Sequence, residues 1–168
     1  MDFDTSCIVN DLDKLTTNNE ITTNNEITTN NEITTNNETN NKIIQLILDI
    51  SNNVFLQLGK GFNECIYHKA ILVDLYKTEF NIETEKIIPI LFNNICVGHV
   101  KTDIIVESDD LLIIIELKAL DRDINYKEEI QIKKYIKHIN KQKNMMGLII
   151  NFSQKNNESL EVQSKIIN

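Results

Sequence analysis

Lys101-Thr102-Asp103-Ile104-Ile105-Val106-Glu107-Ser108-Asp109-Asp110-Leu111-Leu112-Ile113-Ile114-Ile115-Glu116-Leu117-Lys118 is the stretch on which the reading of this chain turns. A polar tetrad, Glu107 to Asp110, separates two runs rich in β-branched residues, which is the pattern of two strands and a turn. Side chains alternate along a strand, so Glu116 and Lys118 share one face while Ile113, Ile115 and Leu117 take the other. With a loop of two or four residues, Val106 pairs with Leu111 and Asp103 falls opposite Ile114. Asp103 then joins Glu116 and Lys118 on one face, as a diagonal neighbour of Glu116. An odd loop would turn it away.

Two carboxylates and an ammonium on a mostly apolar hairpin are costly to place unless they serve something. The plain alternative is a salt bridge among strand-end charges. The chemical reading is that two hard oxygen ligands suit Mg²⁺ (or Mn²⁺), an ion that keeps several waters and borrows phosphate oxygens. Such an ion stabilises charge building on a phosphodiester and lowers the pKa of water. Lys118 would orient the attacking water or steady the transition state.

Outward from this hairpin, Ile95 to Val106 reads as one long strand preceded by a two-residue turn, Asn93-Asn94, whose residues tolerate positive φ. Lys86 to Phe92 reads as a strand whose Pro89 argues for an edge position. Ahead of these, Ile43, Ile44, Ile47, Ile50 and Val54 fall at helical spacing, and Gly59-Lys60-Gly61 breaks that helix. A second helix is expected from about Asn63 to Phe80, with Ile66, Ala70 and Val73 on one stripe and Tyr67, Ile71 and Leu75 beside it. After the hairpin, Ile132, Tyr135, Ile136 and Ile139 mark a helix from about Tyr126 to Asn140, and Met145 to Phe152 a last apolar strand. The order implies an α/β fold: a mixed four-stranded sheet, a three-strand meander plus a crossover helix to one more strand, flanked by helices.

Three zones follow: a tail over 1–40, a domain over 41–154, and a polar tail or short helix over 155–168. From Thr16 the tail repeats TTNNEI, and one Ile per six residues builds no face at helix or strand period. Its Thr, Asn and Glu bury too little to offset ordering entropy, so it reads as disordered. The tail also distorts the charge. Residues 1–41 hold eight acids and one base, which accounts for −7 of the net −8 and leaves the rest of the chain near −1. A nucleic-acid partner is therefore compatible with the acidic composition. Late in the chain Lys127, Lys133, Lys134, Lys137, Lys141 and Lys143 cluster, a solvated helix face with Lys133 and Lys134 as weak phosphate contacts.

Cys7, Cys65 and Cys96 show no CxxC spacing, which suggests neither a disulfide framework nor a zinc site. The acidic N-terminus is unlike a secretory signal. The longest apolar run falls far short of the roughly 20 residues that span a bilayer, so an intracellular, soluble protein without a membrane partner is expected. Gly59-x-Gly61 lacks the lysine and hydroxyl spacing of a phosphate loop. His68, His99 and His138 are too scattered for a histidine metal site. On one continuous strand, parity would place His99 on the face of Asp103.

Gly61-Phe62-Asn63-Glu64-Cys65-Ile66-Tyr67 resembles the motif that names the GxxExxY family of small nucleases in the PD-(D/E)XK superfamily. Lys101 to Glu107 resembles that family's R-x-D-hydrophobic run, and Ile113 to Ala119 its ElKA strand. Gln131 to Tyr135 is similar to its Q-x-x-x-Y helix, and Gly147 to Phe152 to its GLLxNF strand. The resemblance covers about residues 43–153, with five motifs in order. It implies a restriction-endonuclease-like core and metal-dependent cleavage of phosphodiester bonds, in DNA rather than RNA. It also implies Asp103 and Glu116 as metal ligands, Lys118 as the catalytic lysine and Glu64 as an outer carboxylate. Gln131 and Tyr135 would line the cleft, Gln131 reaching Lys118 or a phosphate. The chain departs from the family at Lys101, where Arg is common and grips phosphate better, at Glu128, where a His is often found, and at Ser153, which replaces a glycine. A non-catalytic nucleic-acid-binding or protein-interaction module on the same fold is the alternative. Dimerisation is common in such folds, and the sequence leaves a homodimer open.

Overall fold

The computed structural model describes residues 38–139, 143–156 and 159–168. The chain divides into two units, residues 1–43 and 44–168. Of the first, residues 38–43 are described and are helical, so helix α1 (38–58) starts ahead of the boundary expected at residue 41. Residues 38–40, which include the end of the last TTNNEI-type repeat, are helical where disorder was expected, and the rest of the repeats lie outside the described residues.

In the second unit, α1 buries Ile47, Val54 and Phe55 and ends at Gly59. The Gly59 N–H bonds Phe55 O at 2.9 Å, and its φ of +73° is one that a glycine adopts without strain. Helix α2 (Glu64–Leu75) buries Tyr67, Ile71 and Leu75. The stripe of Ile66 and Val73 stays exposed, and the helix stops five residues short of Phe80 because Lys77 and Thr78 turn back onto Asp74 and Leu75.

The described residues also form seven strands: β1 (Asn81–Thr84), β2 (Ile87–Phe92), β3 (Ile95–Lys101), β4 (Ile104–Glu107), β5 (Leu111–Lys118), β6 (Asn144–Asn151) and β7 (Gln163–Ile167), with α3 (Tyr126–His138) between β5 and β6. The main sheet is mixed and five-stranded, in the order β1-β4-β5-β6-β7, and β2 and β3 form a separate two-stranded ribbon. The α/β class and the crossover helix are as the pattern implied, since β5 and β6 pair in parallel across α3.

Three expectations change. The run Ile95–Val106 is two strands, because the Asp103 carbonyl accepts the Glu85 N–H (2.9 Å) and Thr102 N–H bonds Lys86 O (3.1 Å), which detaches β3 from the sheet that β4 enters. The four-stranded sheet becomes five-stranded: β2 leaves it, β1 pairs with β4 and β7 pairs with β6. The C-terminal segment is thus a strand rather than a polar tail or short helix over that stretch.

Two cores sandwich the sheet. On one side Ile114, Ile132, Tyr135, Ile149 and Ile167 pack with Ile88 of the ribbon. On the other, Tyr67 stacks on Phe152 with ring centroids 4.1 Å apart, and Phe55 meets both edge-on. Gly147 lets α3 come close: a Cβ there would overlap Ile132 Cγ2 and lie 3.3 Å from Ile167 Cβ.

Candidate active site

Strand β5 ends with Glu116-Leu117-Lys118 between the two helices that follow and precede it in space, α3 and α2. Its register with β4 pairs Ile104 with Ile115 and Val106 with Ile113. The turn is therefore two residues, Asp109-Asp110, closed by Ser108 N–H to Leu111 O at 2.9 Å. The register is two residues from the one expected, and a shift of two preserves parity. Continuing it brings Asp103 level with Glu116 instead of diagonal to it.

Glu116 is the centre of the arrangement. It is 2% exposed, and its Oε1 accepts from Lys118 Nζ at 2.5 Å and from Gln131 Nε2 at 2.6 Å. Its Oε2 is buried without a partner. Burial, with the Asp103 charge second, pushes the Glu116 carboxyl up to about 7, although Lys118 pulls the other way. Burial works against the Lys118 ammonium too, but Glu116, Glu64 and Asp103 together outweigh it and raise its pKa. Lys118 is thus held as a cation and donor.

Each neighbour is fixed by the chain around it. Asp103 Oδ2 accepts the Leu117 N–H at 2.8 Å, and His68 Nε2 lies 3.2 Å from the Asp103 carbonyl oxygen. Glu64, at the start of α2, accepts the Ala119 N–H at 3.3 Å. Gln131 also donates to Tyr135 Oη at 2.7 Å, as their i, i+4 spacing on α3 allows. Burial first, then the Glu116 and Asp103 charges, push the Tyr135 hydroxyl up to about 12, with Gln131 opposing. A cleft of about 180 Å³ opens beside these groups, lined by Glu64, Cys65, His68, Glu85, Asp103 and Leu117.

The model of the PD-(D/E)XK nuclease superfamily matches residues 41–163, most of the chain. The chain belongs to the PD-(D/E)XK nuclease superfamily. Members of this superfamily are generally nucleases, and the mixed α/β fold is consistent with a restriction-endonuclease-like core. No curated protein matches the chain.

The structure brings six of the sequence-derived residues of this superfamily domain together: Asp103, Glu116, Lys118, Glu64, Gln131 and Tyr135. Gln131 reaches Glu116, not Lys118, because α3 crosses the sheet at Glu116. Lys101 lies outside the cluster, paired with Glu85 at 2.6 Å on the surface, and Lys133 and Lys134 are exposed on α3. His99 is exposed on β3, and the parity that would have placed it beside Asp103 fails because β3 and β4 belong to different sheets.

Among the described residues no three His, Cys, Asp or Glu side chains converge as a ready-made metal cage. Two carboxylates, one with an orphaned buried oxygen, nonetheless fit a cation that completes its shell from water and substrate. The donor set is compatible with a divalent ion.

Two supporting devices had no role in the sequence reading. Asn151, fully buried at the end of β6, accepts the Leu120 N–H at 2.8 Å and donates to Arg122 O at 3.1 Å. With Phe152 N–H on Lys118 O at 2.8 Å, it fixes the chain just beyond Lys118. Gln154 accepts the Gly61 N–H at 2.6 Å and Tyr67 Oη donates to Gly59 O at 2.7 Å, which anchors the loop that delivers Glu64. Both asparagine and tyrosine stand inside the recognised motifs, and only the spatial neighbours reveal their work. Glu128 caps α3 by accepting the Asn125 N–H at 2.9 Å. It also accepts from Arg122 at 2.7 Å.

Among the described residues no helix is long and apolar enough to cross a membrane.

Proposed function

We propose that this chain is a metal-dependent nuclease of the GxxExxY type that hydrolyses phosphodiester bonds, in DNA rather than RNA. The observation that carries the reading is Glu116: a buried carboxylate at a strand end, one oxygen held by Lys118 and Gln131, the other unpartnered. A purely structural salt bridge gives no reason to bury a second carboxylate oxygen without a partner while the Asp103 charge acts against it.

In this reading Asp103 and Glu116 would hold Mg²⁺ or Mn²⁺. A divalent cation, when bound, supplies positive charge against the phosphodiester and acidifies water. The chain's own residues do the rest. Lys118, kept charged by three carboxylates, donates to a phosphate oxygen or to the attacking water and meets the negative charge that grows in the transition state. Gln131 and Tyr135 fix the Glu116 rotamer, and Glu64 and Asn151 fix the backbone of residues 118–120. Lys101, Lys133 and Lys134 lie outside the cluster and serve at most as weak phosphate contacts, contributing to affinity rather than chemistry.

The test is cleavage of labelled single-stranded, duplex and branched DNA, and of RNA, with Mg²⁺ or Mn²⁺, by the parent chain and by Asp103→Ala, Glu116→Ala and Lys118→Ala. The reading expects metal-dependent products from the parent on a DNA substrate and their loss in all three variants. Cleavage retained by the three variants would remove the site assignment.

A further inference from the structure

Asp103 stands where the sheet does not orient it. Strand β3 ends at Lys101 and β4 begins at Ile104, so Asp103 lies in the break between them, whereas Glu116 lies inside β5 and is aimed by its strand. Local bonds hold Asp103 instead. Its Oδ2 accepts the Leu117 N–H at 2.8 Å, and its carbonyl oxygen accepts the Glu85 N–H at 2.9 Å. The same carbonyl oxygen lies 3.2 Å from His68 Nε2 on α2. A carbonyl oxygen only accepts, so Nε2 carries the hydrogen and donates it.

The His68 bond is not needed to satisfy that carbonyl, because the Glu85 amide already does so. What it adds is a tie to a rigid element. Glu85 belongs to the short connection between β1 and β2 and stands at φ +52°, a region that few non-glycine residues occupy. Its side chain is exposed and pairs with Lys101 on the surface. Helix α2, by contrast, is anchored through Tyr67, Ile71 and Leu75, each fully buried. One turn before His68, Glu64 accepts the Ala119 N–H at 3.3 Å, and residues at i and i+4 share a helix face. One face of α2 therefore grips the site at two points, the residue after Lys118 and the backbone of Asp103. Glu64, His68 and Asp103 line the same cleft.

We propose that His68 is a positioning residue for Asp103: by holding its carbonyl from α2 it aims the carboxylate, with Oδ2 taken by Leu117 and Oδ1 left to a divalent cation. This role deepens the reading of Asp103 as a metal ligand and rests on it. Removing a group that orients a metal ligand typically costs roughly 10–100-fold in metal affinity.

The experiment is calorimetric titration of Mn²⁺ into the full chain, with the thermal transition recorded for each variant. His68→Ala, and His68→Phe, which keeps a ring and lacks the donor, are expected to lose roughly 10-fold or more in Mn²⁺ affinity. His68→Gln, whose amide N–H has a reach similar to that of Nε2, is expected to recover most of it. Ile71→Val loosens the buried face of the same helix and is expected to lower the thermal transition with the affinity unchanged. Affinity equal to the parent's in His68→Ala and His68→Phe overturns the proposal. So does a His68→Gln chain no better than the alanine variant, or an equal loss of affinity in Ile71→Val. Asp103→Ala should abolish binding and tells the two levels apart. A parent that binds no Mn²⁺, or an Asp103→Ala chain that binds it as the parent does, overturns the metal reading of Asp103 and the role of His68 together.

Discussion

Glu116→Gln separates the cost of the site from its purpose. With its carboxyl pushed up to about 7 by burial and by Asp103, Glu116 makes the metal-free fold pH-sensitive in a defined direction. Below about pH 4 it is protonated whether the chain is folded or not, and it contributes nothing. As pH rises the unfolded chain releases its proton first, so folding becomes less favourable until the pH passes about 7 and the folded carboxyl ionises too. The interval between 4.5 and about 7, at roughly 1.4 kcal/mol per pH unit, is a loss on the order of 3 kcal/mol. Glutamine has the same shape and no proton to lose. Urea unfolding in chelator should show the variant gaining about 3 kcal/mol on the parent between about pH 4.5 and about pH 8. The comparison concerns the change with pH, so any fixed penalty for the glutamine cancels. Mg²⁺ at the higher pH should stabilise the parent and leave the variant unmoved. Parallel profiles in chelator would refute the account of Glu116 as a carboxylate buried at a cost.

Gly147→Ala should destabilise the fold by about 1–3 kcal/mol in urea unfolding, since its methyl group would overlap Ile132 Cγ2 in a buried, β-branched side chain that cannot rotate aside. Ile132→Ala in the same chain should return part of that loss, as a double-mutant cycle would show. Asn151→Ala should cost on the order of 2 kcal/mol, because it leaves the Leu120 N–H and the Arg122 carbonyl without their buried partner. Glu128 has its pKa lowered to about 2, first by Arg122. The stability it adds is present above the ordinary glutamate range and lost as pH falls toward about 2. Glu128→Gln should therefore be less stable by roughly 1 kcal/mol at neutral pH and approach the parent's stability in acid unfolding.

How much was legible in the sequence depends on how local each determinant is. The alternation of Ile113 to Lys118 needs only the strand's own period, and it placed Glu116 and Lys118 on one face. The parity of the turn placed Asp103 there too, and survived a two-residue change of register because the side-chain period is two. The Asn93-Asn94 turn is similarly local, and both residues have positive φ. The break at Thr102–Asp103 was not legible. Neither residue is a breaker, and the strand is cut by hydrogen bonds from Lys86, Glu85 and His68, which lie at least 15 residues away in sequence. Strand β1, Asn-Ile-Glu-Thr, has one apolar residue and exists because β4 offers it an edge. Strand β7 has a single buried residue, Ile167, which covers Gly147. Gln131 was expected to reach Lys118 or a phosphate, and its bond to Glu116 instead depends on where α3 crosses the sheet, which no spacing encodes. That one Glu116 oxygen is buried without a partner is likewise a fact of packing.

The most direct measurement is cleavage of duplex DNA by the parent chain in Mg²⁺, in chelator, and by folded Glu116→Ala in Mg²⁺. The account predicts products only in the first, with Lys118→Ala losing rate while still binding the metal. Equal cleavage in chelator, or by the Glu116 variant, would contradict it.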